Sequence, residues 1–205
     1  MDRFRTSVAL LAALFAAGFV VSPATAQSDK GDWIEAPSKL PKKRPFSEDL
    51  DFLFGALKVA PDDASAKAIE QRIWAQWLVS SSDTTNLLMS RVVAAVEAKD
   101  NDLAIKLLDG IVKIRPDYLE AWNRRATLYY MKHDYGRALA DIREVLRREP
   151  RHFGALAGLG LILQDIGDDR QALEVYRRAL AVYPRLQRIP DVVKKLKEQV
   201  EGRDI

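Results

Sequence analysis

From Ser47 onward the apolar residues return at steps of three and four, the spacing of amphipathic helices and not the two-residue alternation of strands. Ser47 reads as the cap of a helix over 48–59. A second helix is expected over 64–79, with Ile69, Ile73, Trp74 and Trp77 on one face. Near the C-terminus Pro190 opens a last helix, where Val193, Leu196 and Val200 form an apolar stripe against Lys194, Lys195, Lys197 and Glu198. The N-terminus breaks this pattern. Arg3 and Arg5 precede an unbroken apolar run from Val8 to Val21, and Ala24-Thr25-Ala26 follows. Basic, apolar and small-residue segments in that order predict a signal peptide over 1–26, cleaved after Ala26. The run is shorter than the roughly 20 residues that span a bilayer, so no membrane insertion is expected after cleavage. The expected location is the periplasm. Residues 27–46 read as a linker, with Pro37, Pro41, Pro45 and the basic run Lys42-Lys43-Arg44; within it Trp33-Ile34 is an apolar pair that docks on a partner or folds back.

Between these ends the sequence repeats with a period of 34 residues. Pro116, Pro150 and Pro184 are evenly spaced and each closes a helical segment. Asp100, Asp134 and Asp168 recur at the same interval, as do Ala104, Ala138 and Ala172, and Ile111, Val145 and Ala179. Three units follow, at 85–118, 119–152 and 153–186, with a degenerate helical hairpin over 47–84 before them and a capping helix and tail over 187–205 after. Small residues such as Ala126, Gly160, Ala138 and Ala172 let paired helices approach, and larger apolar residues fill the gap to the next unit. Trp122 and Tyr176 are expected among the buried ones, and the 47–84 hairpin is expected to cover the open edge of the first unit.

The spacing and residue types resemble the tetratricopeptide-repeat family. The middle unit carries Trp122, Ala126, Tyr129, Ala138, Ile142, Val145 and Pro150 at the family's positions; the third carries Leu156, Leu159, Gly160, Leu163, Ala172, Tyr176, Ala179 and Pro184. The first, with Leu88, Val92, Ala95, Ala104, Leu108, Ile111 and Pro116, is thinner. The resemblance implies an all-α fold, a right-handed solenoid of antiparallel helix pairs with an N-terminal helical cap and a C-terminal capping helix. It also implies a concave face lined by the first helix of each unit, here Met89, Val93 and Val96, then Asn123, Thr127 and Tyr130, then Leu161 and Gln164. The lysines and asparagines with which chaperone cofactors of the family clamp a partner's carboxylate end are replaced by Met89, Val93 and Arg124.

Candidate chemistry changes this picture little. The 205 residues contain no cysteine and only two histidines, His133 and His152, both in turns without donors or nucleophiles at useful spacing. No catalytic group, metal site or cofactor is expected. The net charge of +3, from 32 basic and 29 acidic residues, is too small to indicate a nucleic-acid binder. Arg125 stands where the family usually has leucine, and Asp141 on the facing helix is its expected partner. Arg143, Arg147 and Arg178 belong to an arginine-rich outer face that offers a second surface for anionic lipid, cell-wall polymer or an acidic protein. The sequence therefore points to a non-enzymatic periplasmic scaffold, binding a peptide or helix of cell-envelope proteins in its concave groove. The alternatives are electrostatic adaptation to the envelope through the outer face and weak self-association of a structural protein.

Overall fold

The computed structural model describes residues 46–202, which form α1 (Phe46–Lys58), α2 (Asp63–Leu78), α3 (Asp83–Glu97), α4 (Asn101–Ile114), α5 (Leu119–Met131), α6 (Tyr135–Arg148), α7 (Phe153–Asp165), α8 (Asp169–Val182) and α9 (Ile189–Val200). Among the described residues there is no strand. The signal-peptide and linker readings lie outside these residues, except that Phe46 already opens α1, one residue before Ser47. Helices α3–α4, α5–α6 and α7–α8 pair as hairpins and stack in order, α4 on α5 and α6 on α7, and α9 closes the far end against α8.

The sequence period has a local cause in each hairpin. The repeated aspartates cap the second helices: a carboxylate oxygen of Asp100, Asp134 and Asp168 accepts the backbone N–H of Leu103, Arg137 and Gln171 at 3.0–3.1 Å. Immediately before each aspartate the chain turns through a left-handed residue, Lys99 (φ 61°), His133 (φ 57°) and Gly167 (φ 85°). This left-handed turn closes the first helix, with the amides of Asp100, Asp134 and Asp168 reaching back to the carbonyls of Ala95, Tyr129 and Leu163. Only the third unit uses glycine there, so the first two accept the steric cost of a side chain in that region. The prolines follow the last amide that each second helix can satisfy, those of Arg115, Glu149 and Tyr183.

Packing follows the register. Ala104, Ala138, Ala172, Leu108, Ile111, Val145, Tyr176 and Ala179 are all fully buried. Gly160 is obligatory on space alone, because a Cβ there would stand 2.4 Å from the Tyr176 ring. Trp122 departs from the expectation. It is only partly buried, its indole N–H donates to the Pro116 carbonyl at 3.0 Å, and the Arg125 and Arg148 guanidinium groups lie within 6 Å of its ring.

The hairpin α1–α2 also differs from its expected place. Instead of capping the first unit it lies along the edge where units join, touching α5 and α8. Arg185, after the third unit, donates to the Ala60 carbonyl at 3.1 Å and pairs with Asp63 at 2.7 Å, while the Tyr118 hydroxyl, before the second unit, donates to the Leu78 carbonyl at 2.9 Å. Helix α2 thus crosses from the end of the stack back towards its start, delivering the chain to α3. Its apolar face covers the third unit, so Leu53, Phe54, Leu57, Ile73, Trp74 and Trp77 share one core with Phe153, Leu156, Leu173 and Tyr176.

Candidate functional site

Two surfaces matter, the concave face and the α2 contact that reaches into its margin. On the concave face the first helices present residues in rows 34 apart. Glu120 and Gly154 stand nearest the helix starts, and Val96, Tyr130 and Gln164 nearest their ends. Of the eight residues expected to line the groove, Met89, Asn123, Thr127, Tyr130 and Leu161 are at most 8% exposed. For Asn123, Thr127 and Tyr130 the reason is close approach of α5 and α7, with Gly154 and Gly158 lining the same void of only about 10 Å³, while Met89 and Leu161 belong to one apolar core with Tyr129 and Tyr130. Asn123 donates to both Glu120 carboxylate oxygens at 3.2 Å, and the Thr127 hydroxyl donates to its own helix, to the Asn123 carbonyl at 3.1 Å. Val93, Val96 and Gln164 stay partly open, although Gln164 accepts the Tyr176 hydroxyl at 2.8 Å.

The α2 contact is aromatic outside and polar within. Trp77 stacks on the His152 ring, centroids 4.1 Å apart and planes 10° from parallel, and Trp74 stands edge-on to Trp77, His152 and Phe153. Gly154 makes room for it, since a Cβ there would meet Trp74 Cη2 at 3.0 Å. His152 is fully buried and caps α7: its Nδ1 accepts the Ala155 amide at 3.0 Å, which leaves the ring proton on Nε2, 3.5 Å from a Glu120 oxygen. Glu120 is 3.7 Å from Arg124, itself buried. On the other side of the tryptophans Glu70 accepts from the Trp74 indole and the Tyr183 hydroxyl, both at 3.1 Å, and pairs with Lys67 at 3.0 Å. Buried carboxylates here are matched by donors, as a low-dielectric site requires. Sequence reading missed this cluster, because His152 reads as a turn residue; glycine at position 154 of a helix was the available sign that a large side chain nests there.

Burial pushes the phenols of Tyr118, Tyr176 and Tyr183 above their ordinary value, with Glu120 and Glu70 adding to the rise at Tyr118 and Tyr183. Since the unfolded chain ionises first, near pH 10, stability is fully present below that value and is lost as pH rises beyond it. Urea midpoints are therefore expected to fall progressively above about pH 10, and Tyr183→Phe to flatten that fall. An unaltered slope in the variant would show that the Tyr183 hydroxyl is already solvated.

The arginines of the outer face are largely engaged. Arg147 and Arg148 pair with Glu144 at 3.0 and 3.2 Å, Arg151 with Asp51 and Glu149, and Arg177 with Glu174 and Glu201. Arg143 and Arg178 are exposed. The Arg125–Asp141 pair is bidentate, at 2.7 and 2.8 Å, and a third contact joins Arg125 to Asp109 of the preceding unit at 2.7 Å. Among the described residues no three His, Asp or Glu side chains gather as metal ligands, and no helix is long and apolar enough to cross a membrane.

Three stacked helix pairs with period-matched caps and a short, neutral concave face define an α-solenoid of the kind that holds protein partners. Residues 153–185 match the model of the tetratricopeptide repeat. A TPR repeat-containing protein of Rhizobium etli is 39% identical over 200 residues, covering 95% of both chains, and this chain belongs to the tetratricopeptide-repeat proteins. Among solved structures the TPR domain of P58(IPK) superposes with a TM-score of 0.52 at 20% identity, over 76% of this chain and 42% of that one. MamA from MSR-1 superposes at 0.50 and 17%, over 77% and 87%. These two likenesses show the fold alone. Repeat stacks of this family are generally non-catalytic and bind protein partners.

Proposed function

We propose that this protein is an exported, non-enzymatic scaffold that holds a helix or extended segment of a cell-envelope protein against the open part of its concave face, around Val93, Val96 and Gln164. The observation that carries the reading is the seating of α2. One amphipathic helix, led by Trp74, already lies against the margin of the concave face at Gly154. Helix-in-groove recognition of this kind rests on apolar anchors and a few hydrogen bonds. The remaining face offers two valines and an amide, without a charged clamp. The pairing of most outer arginines within the chain leaves less free charge for the electrostatic alternative.

Photoreactive residues at Val93, Gln164 and, for comparison, Arg178 test the reading in living cells. The expected result is one discrete envelope protein captured from Val93 and Gln164 and not from Arg178. Capture only from Arg178, or from none of the three, would overturn groove recognition. N-terminal sequencing of the captured product is expected to begin at Gln27, and an intact Met1 would remove the export step.

A further inference from the structure

The first unit has a face that the next two units bury. On the first helix of the second unit, Ala121, Arg125 and Leu128 form a stripe at i, i+4 and i+7, and Arg125 marks what the stripe meets, by pairing with Asp109 on α4 of the unit before. Ala121 and Leu128 are fully buried, in one core with Ile105, Leu108 and Val112 of α4. The third unit repeats the stripe as Ala155, Leu159 and Ile162, with Ala155 and Ile162 at 1% and 0% exposure. In the first unit the same positions are Leu87, Arg91 and Ala94, and all three are exposed, Leu87 by 57%. No described helix covers them, because the hairpin expected to do so packs on the second and third units instead. A repeat stack normally ends in a polar cap. This end carries a bare leucine beside an arginine.

The chemistry of Arg91 states what the face would take. Arg125 is satisfied by two carboxylates, Asp141 on its own unit's second helix and Asp109 on the preceding helix. At the place of Asp141 the first unit has Leu107, so Arg91 has no carboxylate from its own hairpin. We propose that the outer face of α3 is a second docking site, distinct from the concave face, for one amphipathic helix of another protein that supplies aliphatic residues at i and i+7 and a carboxylate at i+4. That is the pattern which Ile105, Asp109 and Val112 of α4 present to Arg125. A second copy of this chain fits poorly. The other end of its stack is closed by α9, and two α3 faces meeting about a two-fold axis would bring Arg91, the centre of the stripe, against its own counterpart.

A helix-stapled, fluorescein-labelled peptide spanning 101–114 is the probe, because it carries the required pattern. Anisotropy titration of the purified protein is expected to show saturable binding, weakened at least tenfold by Arg91→Glu in the protein or Asp109→Lys in the peptide, and restored when the two changes are combined. Leu87→Asp is expected to abolish it. Both protein positions are exposed, so circular dichroism should confirm an unchanged fold. Crosslinks from Val93 and Gln164 should survive Arg91→Glu, which separates failure of this site from failure of the concave one. No saturable binding, or binding indifferent to Arg91→Glu, would overturn the proposal. So would a concentration-dependent dimer in sedimentation that Leu87→Asp removes, since the face would then belong to a second copy.

Discussion

Replacing Trp74 with alanine is expected to release the α1–α2 hairpin from the repeat stack while leaving the stack folded. The side chain is 5% exposed, is wedged over Gly154 and stands edge-on to three other rings. Truncating a buried tryptophan costs about 3–5 kcal/mol. Glu70 loses its indole donor as well, though the Tyr183 hydroxyl and Lys67 still reach it. Solenoid units hold chiefly to their neighbours, so the loss should stay local. The measurement is amide hydrogen exchange, in which protection is expected to collapse over 46–78 and to persist in α5, α6, α7 and α8. Equal loss throughout would make the hairpin an integral member of the core. Gly154→Ala is the milder control, since its added methyl presses on one edge of the same ring.

This docking explains what the sequence did and did not reveal. The repeat units were legible because each contact that defines them recurs: Asp100, Asp134 and Asp168 cap the same turn three times, and Pro116, Pro150 and Pro184 end the same helix three times. The pattern over 64–79 also identified the apolar face of α2 correctly, down to Trp74 and Trp77. It could not give the address of that face. An amphipathic stripe records that something covers it, and the residues it meets here, His152, Phe153 and Tyr183, lie far along the chain, outside its own hairpin. The same limit applies to the groove. Period 34 assigned Tyr130 and Leu161 to one side of their helices, whereas their burial depends on how closely α5 and α7 approach in three dimensions. Trp122 was misread for a related reason: the family position predicts a large residue, but its indole finds the Pro116 carbonyl at the surface.

Arg125→Leu is expected to destabilise the protein by about 3–5 kcal/mol, although leucine is the usual residue of the family at that position. The cause is the partner left behind. Asp141 is 3% exposed, and burial raises its carboxyl above the ordinary value even while Arg125 pulls it down. Without the guanidinium the charge stays buried and unpaired, so the folded state favours the protonated acid more strongly. Because that raises the folded value further above the unfolded one, the deficit should be smallest near pH 4 and grow as the pH approaches neutrality. The third unit supplies the remedy. It has Leu159 and Val175 where the second has Arg125 and Asp141, and it packs with Val175 7% exposed. The double variant Arg125→Leu, Asp141→Val copies that apolar pair and is expected to regain most of the lost stability in urea unfolding, since a well-packed apolar pair can match a buried ion pair. Asp109, half exposed, should tolerate the loss of its arginine. If the double variant unfolds as early as the single one, the guanidinium matters for bridging α4 to α6 and not for neutralising Asp141; recovery would assign the whole cost to the stranded carboxylate.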